Sequence, residues 1–182
     1  MKTFLTFIAV LALSSVGLCQ DMAAMMKVPD EVQKLDFLVG TWTGKETYHM
    51  GPQESSSDVT INCTKELNGR FIHSMEKMNM MGMDASGMSM ITYNPDEKTY
   101  KGWWFDSMSA SAMEVTGNFE GEKLVLVSKP MTGPGMPQPT AMRASWAPKD
   151  ATHVSFTLEQ QVQGSTDWTN VISGEYTKGS AK

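Results

Sequence analysis

The chain has 182 residues, of which 41% are hydrophobic and 19% are charged, and its formal net charge is −5. Its basic residues are scattered and form no run, which argues against nucleic acid or an anionic membrane surface as a partner. Beyond its first residues, no segment approaches the apolar run of about 20 residues that a transmembrane helix needs, so we predict no transmembrane segment.

The chain begins with a segment that is typical of a secretory signal peptide. Lys2 is followed by an apolar run from Phe4 to Leu13 and then by small residues up to Cys19. This run is too short to span a bilayer as a stable helix. We predict that residues 1–19 are removed by cleavage after Cys19 and that the mature protein is secreted or periplasmic. The alternative is a lipoprotein acylated at Cys19, although Leu18 then stands where a small residue is expected.

Cleavage after Cys19 has two consequences for the mature protein. It removes Lys2, so the formal charge moves from −5 to −6. It also leaves Cys63 as the only cysteine, so no internal disulfide can form and the apolar core must hold the fold by itself. The remaining length fits one domain, which we place at residues 29–180, after an N-terminal arm at residues 20–28.

The predicted domain starts with one short helix and continues as strands. Pro29 and the two acidic residues after it favour a helix N-terminus, and Val32, Leu35 and Leu38 then recur at helical spacing. After Leu38, apolar and polar residues alternate between turn signals such as Asn68-Gly69. The predicted strands are 39–50, 57–67, 70–79, 87–94, 98–107, 111–119, 122–129, 140–147, 152–162 and 167–178.

Successive hairpins with no helix between them predict an all-β fold. An antiparallel up-and-down barrel of about ten strands removes exposed strand edges, and a two-sheet sandwich is the alternative. The one long connector, residues 130–139, contains four prolines and two glycines, so it cannot be a central strand. We expect it to be a loop that gates the mouth of the barrel.

Three stretches of the chain resemble a known family. "LDFLVGTWTGKE" (35–46), "YNPDEKTYKGWWFDSM" (93–108) and "SGEYTK" (173–178) together resemble the exported bacterial family catalogued as domain of unknown function 1579 (DUF1579). Gly40 and Trp42 also resemble the Gly-x-Trp of lipocalins, fatty-acid-binding proteins and nitrobindins. The resemblance implies a lipocalin-like, calycin-type barrel of unassigned activity, with Gly40 and Trp42 closing one end.

The nitrobindin branch of this resemblance would add haem through a histidine near the C-terminus. Residues 163–182 contain no histidine, and we therefore predict no cofactor.

The alternation of each strand predicts which side chains face the barrel lumen. We expect the lumen to bind a small, largely apolar molecule without covalent chemistry. The predicted lumen residues are Glu46, Tyr48, Tyr100, Trp104, Asp106, Leu124, Leu126, Arg143 and Phe156. A carboxylate in an apolar lumen costs several kcal/mol unless it is paired, so the polar members are either anchors for a ligand or an internal pair that only fixes packing.

Residues 75–90, "MEKMNMMGMDASGMSM", contain seven methionines. If Met78 opposes Met90 and Met80 opposes Met88, four thioethers share one face of a hairpin, and Cu(I) or Ag(I) selects such ligands. Methionine also fills irregular interiors and lines adaptable cavities, and ten more methionines are spread over the rest of the chain. We interpret the stretch as cavity wall rather than metal site. The alternatives are an exported Cu(I)- or Ag(I)-binding protein and a sacrificial oxidation role.

The sequence contains none of the common catalytic motifs, such as G-x-S-x-G, H-E-x-x-H or C-x-x-C. His49, His73 and His153 are far apart along the chain, and His49 and His153 fall on strand faces that we predict to be exposed to solvent. We therefore predict a protein that is not an enzyme. An enzyme that uses the lumen carboxylates as acid and base is the alternative from another class.

Overall fold

The computed structural model describes residues 27–49, 54–80, 82–133 and 136–179. The predicted signal peptide and most of the predicted N-terminal arm lie outside these residues. Within the described part of the chain, the helical segments are all too short to cross a membrane.

One short helix precedes eleven strands in the described chain. Helix α1 spans Asp30–Gln33 and continues as a 3-10 turn over Lys34–Leu38. The strands are β1 (Gly40–Tyr48), β2 (Ser55–Glu66), β3 (Phe71–Met80), β4 (Met83–Asn94), β5 (Thr99–Asp106), β6 (Met113–Glu120), β7 (Lys123–Ser128), β8 (Met131–Gly133), β9 (Met136–Pro148), β10 (His153–Val162) and β11 (Thr169–Lys178).

Ten of these strands form a closed antiparallel barrel, which confirms the predicted fold class. Consecutive strands pair from β1 to β7, and the ring continues from β7 through β9, β10 and β11 back to β1. The closing pair sets Trp42 opposite Lys178 and Tyr48 opposite Ile172. Closure satisfies the backbone groups that an open sheet would leave at its edges.

The described residues on both sides of positions 134–135 in the predicted 130–139 loop are strand, and this corrects the sequence-based expectation of a loop there. Strand β8 pairs with the first residues of β9, with Met131 opposite Thr140. Pro137 and Pro139 lie in this outer part of β9, before the pairing with β10 begins at Thr140. Proline is tolerated there because no backbone N–H is needed for the barrel ladder.

Helix α1 and the 3-10 turn cover the end of the barrel at which β1, β3 and β5 begin. Leu35 is fully buried in the core, together with Leu38 and Trp42. Trp42 Nε1 donates a hydrogen bond of 2.7 Å to the Leu38 carbonyl, and Tyr100 Oη donates one of 2.9 Å to the Glu31 carbonyl. Both aromatic side chains thus bury their apolar parts while their polar atoms are satisfied, which fixes the helix across this end.

Candidate functional site

The barrel encloses a cavity of about 220 Å³. It extends from Leu38 and Trp42, at the helix-covered end, to Asp106 and Met108 near the opposite end. Most of its wall is apolar and comes from inward-facing side chains on many strands, including Ile61, Ile72, Ile91, Trp104, Trp146 and Phe156. A largely apolar concavity with a few polar groups is the usual form of a small-molecule site.

Glu46 is the most buried carboxylate in this wall, with 3% of its surface exposed. Its two oxygens accept separate hydrogen bonds, one of 2.8 Å from Tyr48 Oη and one from Tyr176 Oη. The alternation of β1 places Glu46 and Tyr48 on the inner face, and β11 brings in Tyr176. Gly174 makes room for this arrangement, since a Cβ there would lie 2.6 Å from Tyr176 Oη.

Glu76, on the inner face of β3, lines the same cavity as Glu46, interacts with it and is 9% exposed. Burial, together with the charge and hydrogen bonding of Glu46, raises the pKa of Glu76 to about 8. Glu76 therefore keeps its proton at neutral pH and can donate it in a hydrogen bond to the Glu46 carboxylate. Burial also raises the pKa of Tyr48 and of Tyr176, so both phenols remain donors.

The described residues that line the cavity include three acids but no lysine, arginine or histidine. The short gaps at residues 50–53, 81 and 134–135 contain no basic residue in their sequence either. Lys178 is not among the lining residues; its ammonium lies 5.2 Å from the centroid of the Trp42 ring. Among the residues that the structure describes, the acidic pair of Glu46 and Glu76 thus faces the cavity without a cationic side chain.

Five of the predicted lumen residues line the cavity: Glu46, Tyr48, Trp104, Asp106 and Phe156. The Trp104 ring packs over Gly87, where a side chain would collide with it. Asp106 is half-buried, and its Oδ1 accepts a hydrogen bond of 2.9 Å from the Met108 amide in the turn after β5. The carboxylate of Asp106 therefore has a backbone partner, whereas that of Glu46 is held by phenols.

The other predicted lumen residues lie elsewhere. Tyr100, Leu124 and Leu126 are buried in the core rather than in the cavity wall. Arg143 lies on the outer face of the barrel, because Ala144 and Trp146 are the residues of β9 that line the cavity. The expectation that Arg143 anchors a ligand in the lumen is therefore corrected.

Arg143 forms an ion pair on the outer face instead. Its Nε and one terminal nitrogen donate hydrogen bonds of 2.7 and 2.8 Å to the two carboxylate oxygens of Glu159. Its guanidinium carbon also lies 4.3 Å from the centroid of the Trp168 ring. Arg143 thus has an acidic partner and an aromatic one, both outside the cavity.

The predicted pairing of the methionines is wrong. The β3–β4 register sets Met78 opposite Ala85, Met80 opposite Met83 and Met75 opposite Met88. Met78 lines the cavity, whereas Met88 and Met90 alternate with the cavity-lining Ser89 and Ile91 and so lie on the outer face. The thioethers of Met78, Met88 and Met90 in the alternative Cu(I) site therefore do not share one face. No cluster of three or more His, Cys, Asp or Glu side chains suited to a metal ion occurs in the described part of the chain.

A second polar constellation, which the sequence did not indicate, lies on the outer face. His49 Nε2 is 2.9 Å from Ser173 Oγ, and His49 Nδ1 is 2.9 Å from Glu54 Oε1. This order of groups is that of a hydrolase triad. However, none of the three residues lines the cavity, and Ser173 is paired in mid-strand with both neighbouring strands. Among the described residues, these three side chains therefore form a hydrogen-bond network outside the cavity.

Comparison with known proteins shows a matching family and solved structures of similar fold. A family model described as "Protein of unknown function (DUF1579)" matches residues 29–178. The crystal structure of Rv2717c from M. tuberculosis is similar, with a TM-score of 0.61 and 12% identity over 84% of this chain and 99% of that one. The S-type phycobiliprotein lyase CPES from Guillardia theta is also similar, with a TM-score of 0.57 and 12% identity over 82% of this chain and 93% of that one. No curated protein matches the chain. At these identities the likeness of the structures concerns the fold alone.

Proposed function

Because the chain belongs to the DUF1579 family and folds as a barrel around an apolar cavity, we propose that it binds a small, largely apolar molecule in the lumen without catalysing a reaction. Its N-terminal segment, which has the pattern of a signal peptide, supports a secreted or periplasmic location. The observation that carries the binding proposal is the apolar wall of the cavity of about 220 Å³.

Two features of this wall favour a binding role over a core that is merely loosely packed. The helix-covered end shows that the chain packs apolar side chains tightly where it needs to, since Leu35 is fully buried and Leu38 is 8% exposed. Farther along the barrel, aromatic side chains such as Trp104 and Phe156 line open space instead of meeting across it. Covering such a wall with an apolar ligand gains about 25 cal/mol for each Å² removed from water.

The likeness to a phycobiliprotein lyase supports the proposal in one respect. A barrel of similar fold occurs in a protein that is named as a lyase of phycobiliproteins. The lyase reaction itself is not part of the proposal.

The proposal is tested by titration with prodan, a small uncharged dye whose emission depends on polarity. We expect saturable binding at about one equivalent, with a blue shift of the dye and quenching of the cavity tryptophans. Trp104→Leu should weaken both signals, because Trp104 lines the cavity. Trp168→Leu is the matched control, since Trp168 lies on the outer face beside Arg143.

Two results would count against a binding cavity. Prodan, together with neutral alkanols of similar length, could fail to saturate any site on the folded protein. Alternatively, Trp168→Leu could weaken the signals as much as Trp104→Leu does, which would place the dye outside the barrel.

A further inference from the structure

We propose that the molecule held in the cavity is an amphiphilic amine, whose protonated nitrogen pairs with the carboxyls of Glu46 and Glu76 while its apolar body covers the surrounding wall. This inference rests on the proposed function. It deepens that function by naming the chemical class of the ligand.

No cationic side chain lines the cavity beside the acidic pair in the described part of the chain. Glu46 and Glu76 both line the apolar wall and interact with each other, and the cavity-lining residues that the structure describes include no basic side chain. Two carboxyls in such a place cost free energy unless a positive group or several donors compensate them. The two tyrosine hydroxyls both bond to Glu46, so Glu76 depends on Glu46 itself.

The classes of ligand that could enter the cavity differ in the charge and the hydrogen-bond donors that they would bring to the acidic pair. A carboxylate or phosphate would be repelled by the acidic pair. A neutral alcohol could donate only one hydrogen bond and would bring no charge. A protonated amine brings up to three N–H donors and the missing charge, and the rings of Tyr176 and Trp104 in the same wall favour a cation further. A metal ion would need more oxygen ligands than this apolar wall offers.

The proton that Glu76 holds at neutral pH should respond to a bound cation. Among the described residues, the titratable groups that face Glu76 from the packed strands are a carboxyl, a thiol and two phenols. They are Glu46 and Tyr48 from β1, Cys63 from β2 and Tyr176 from β11. On β4, the residue opposite Glu76 is Gly87, which does not titrate. A bound cation would lower the pKa of Glu76 from about 8, so amine binding should release a proton at neutral pH. The affinity for an amine should therefore rise between pH 6 and pH 8, whereas the affinity for an alcohol should not.

The experiment uses three ligands with the same alkyl chain: decylamine, decanol and decanoate. Isothermal titration calorimetry of the mature protein at pH 7 should show that decylamine binds at least ten times more tightly than decanol. Decanoate should bind more weakly than either. Repeating the decylamine titration in two buffers of different ionisation enthalpy should reveal the released proton.

Matched variants locate the effect. In the double variant Glu46→Gln with Glu76→Gln, decylamine should lose its advantage over decanol. Glu159→Gln makes the same chemical change on the outer face and should keep the preference for the amine. Circular dichroism checks that the variants fold. If the double variant does not fold, Glu76→Gln alone and the measurement of proton release on the wild type decide the question.

The outcomes separate this inference from the proposed function. Equal binding of decylamine and decanol by the wild type, or decylamine binding without proton release, would overturn the amine proposal and leave the apolar cavity intact. Tightest binding by decanoate would also overturn it. If none of the three ligands binds and prodan does not bind either, the proposed function itself fails.

Discussion

The ion pair of Arg143 and Glu159 on the outer face of the barrel contrasts with the carboxyl pair of Glu46 and Glu76 on its inner face. Outside, Arg143 pairs with Glu159 through two hydrogen bonds and lowers the pKa of that carboxyl. Inside, Glu46 and Glu76 have each other, and burial raises the pKa of Glu76 to about 8. Within the described part of the chain, a cation is thus provided for the half-exposed carboxylate and none for the buried ones.

This distribution is the reverse of what stability alone would favour. A half-exposed carboxylate is solvated by water and gains about 0–1 kcal/mol from a partner. A buried carboxyl pair loses much of its hydration, so a cation would matter far more to it. The proposed amine ligand would supply the cation that the inner pair lacks among the described residues.

The largest expected effect is on the pH dependence of stability. The carboxyl of Glu76 has an ordinary pKa of 4.5 when unfolded and one of about 8 when folded. Between these values the folded state binds more protons, so the free energy of unfolding should fall as pH rises from 5 to 8, by roughly 3–5 kcal/mol. Glu76→Gln should flatten this slope in denaturant titrations at pH 5, 6.5 and 8.

Glu159→Gln is the matched control for that prediction. A carboxyl whose pKa is lowered by folding stabilises the protein above its unfolded pKa and loses this effect only as pH falls below it. The slope between pH 5 and 8 should therefore survive in Glu159→Gln. A wild-type protein whose stability is constant across this window would contradict the assignment of a shared proton to the inner pair.

Supplying the missing cation should abolish the difference between the two regions. Met78 lines the cavity, and its sulfur lies 3.8 Å from Tyr48 Oη, next to Glu46. A lysine ammonium in the Met78→Lys variant should pair with the acidic residues and compete with a ligand amine. We expect decylamine affinity to fall at least tenfold, which is about 1.4 kcal/mol, in the calorimetric titration.

Met78→Leu controls for the change of side chain at this position. Leucine and methionine have similar volumes, so this variant should keep both its fold and its preference for decylamine over decanol. If Met78→Leu loses the preference as fully as Met78→Lys does, cavity shape rather than charge is responsible.

Breaking the outer pair should have a smaller effect. Arg143→Ala should lower the free energy of unfolding by about 1 kcal/mol, because water can replace the guanidinium at the half-exposed Glu159 carboxylate. Chemical denaturation at pH 7 measures this change. Prodan and decylamine binding should remain as in the wild type, and a loss of either would return Arg143 to the functional site.

The smallest effect is expected at Asp106, whose carboxylate lines the cavity but already accepts a hydrogen bond from the Met108 amide. Asp106→Asn keeps an acceptor oxygen for that amide, so stability should change by no more than about 0.5 kcal/mol. The preference for decylamine should fall less than threefold. A loss as large as that in the Glu46 and Glu76 variants would move the binding site for the amine to the mouth of the barrel.

The barrel was predictable from the sequence because its strands alternate and its turns carry Asn-Gly or Glu-Gly signals. The same alternation indicated that Glu46 and Tyr48 share an inner face with Trp42. Glu76 escaped prediction because both faces of β3 mix polar and apolar residues, so neither face is marked as buried. Its contact with Glu46 joins strands that are not consecutive, which local patterns do not reveal.

Two errors have local causes. Arg143 and Ser145 alternate with Ala144 and Trp146, so the outward position of the arginine was readable, but its charge suggested a lumen anchor. In the methionine-rich hairpin the turn was expected to extend to Gly87, whereas β4 begins at Met83. Moving a turn by a few residues changes every opposing pair in the hairpin, and this is why the predicted methionine cluster does not form.

The pairing of β1 with β11 makes the order of synthesis matter. The first strand of the barrel meets its second neighbour only when the last strand has been made, since Trp42 lies opposite Lys178. Hairpins between consecutive strands can form early, but closure must wait for this most distant contact and is entropically costly. A chain that ends before β11 would expose the edges of β1 and β10 to pairing with other molecules, and it would lack Tyr176, a hydrogen-bond donor to Glu46. The last strand is therefore at once the seam of the barrel and part of its cavity.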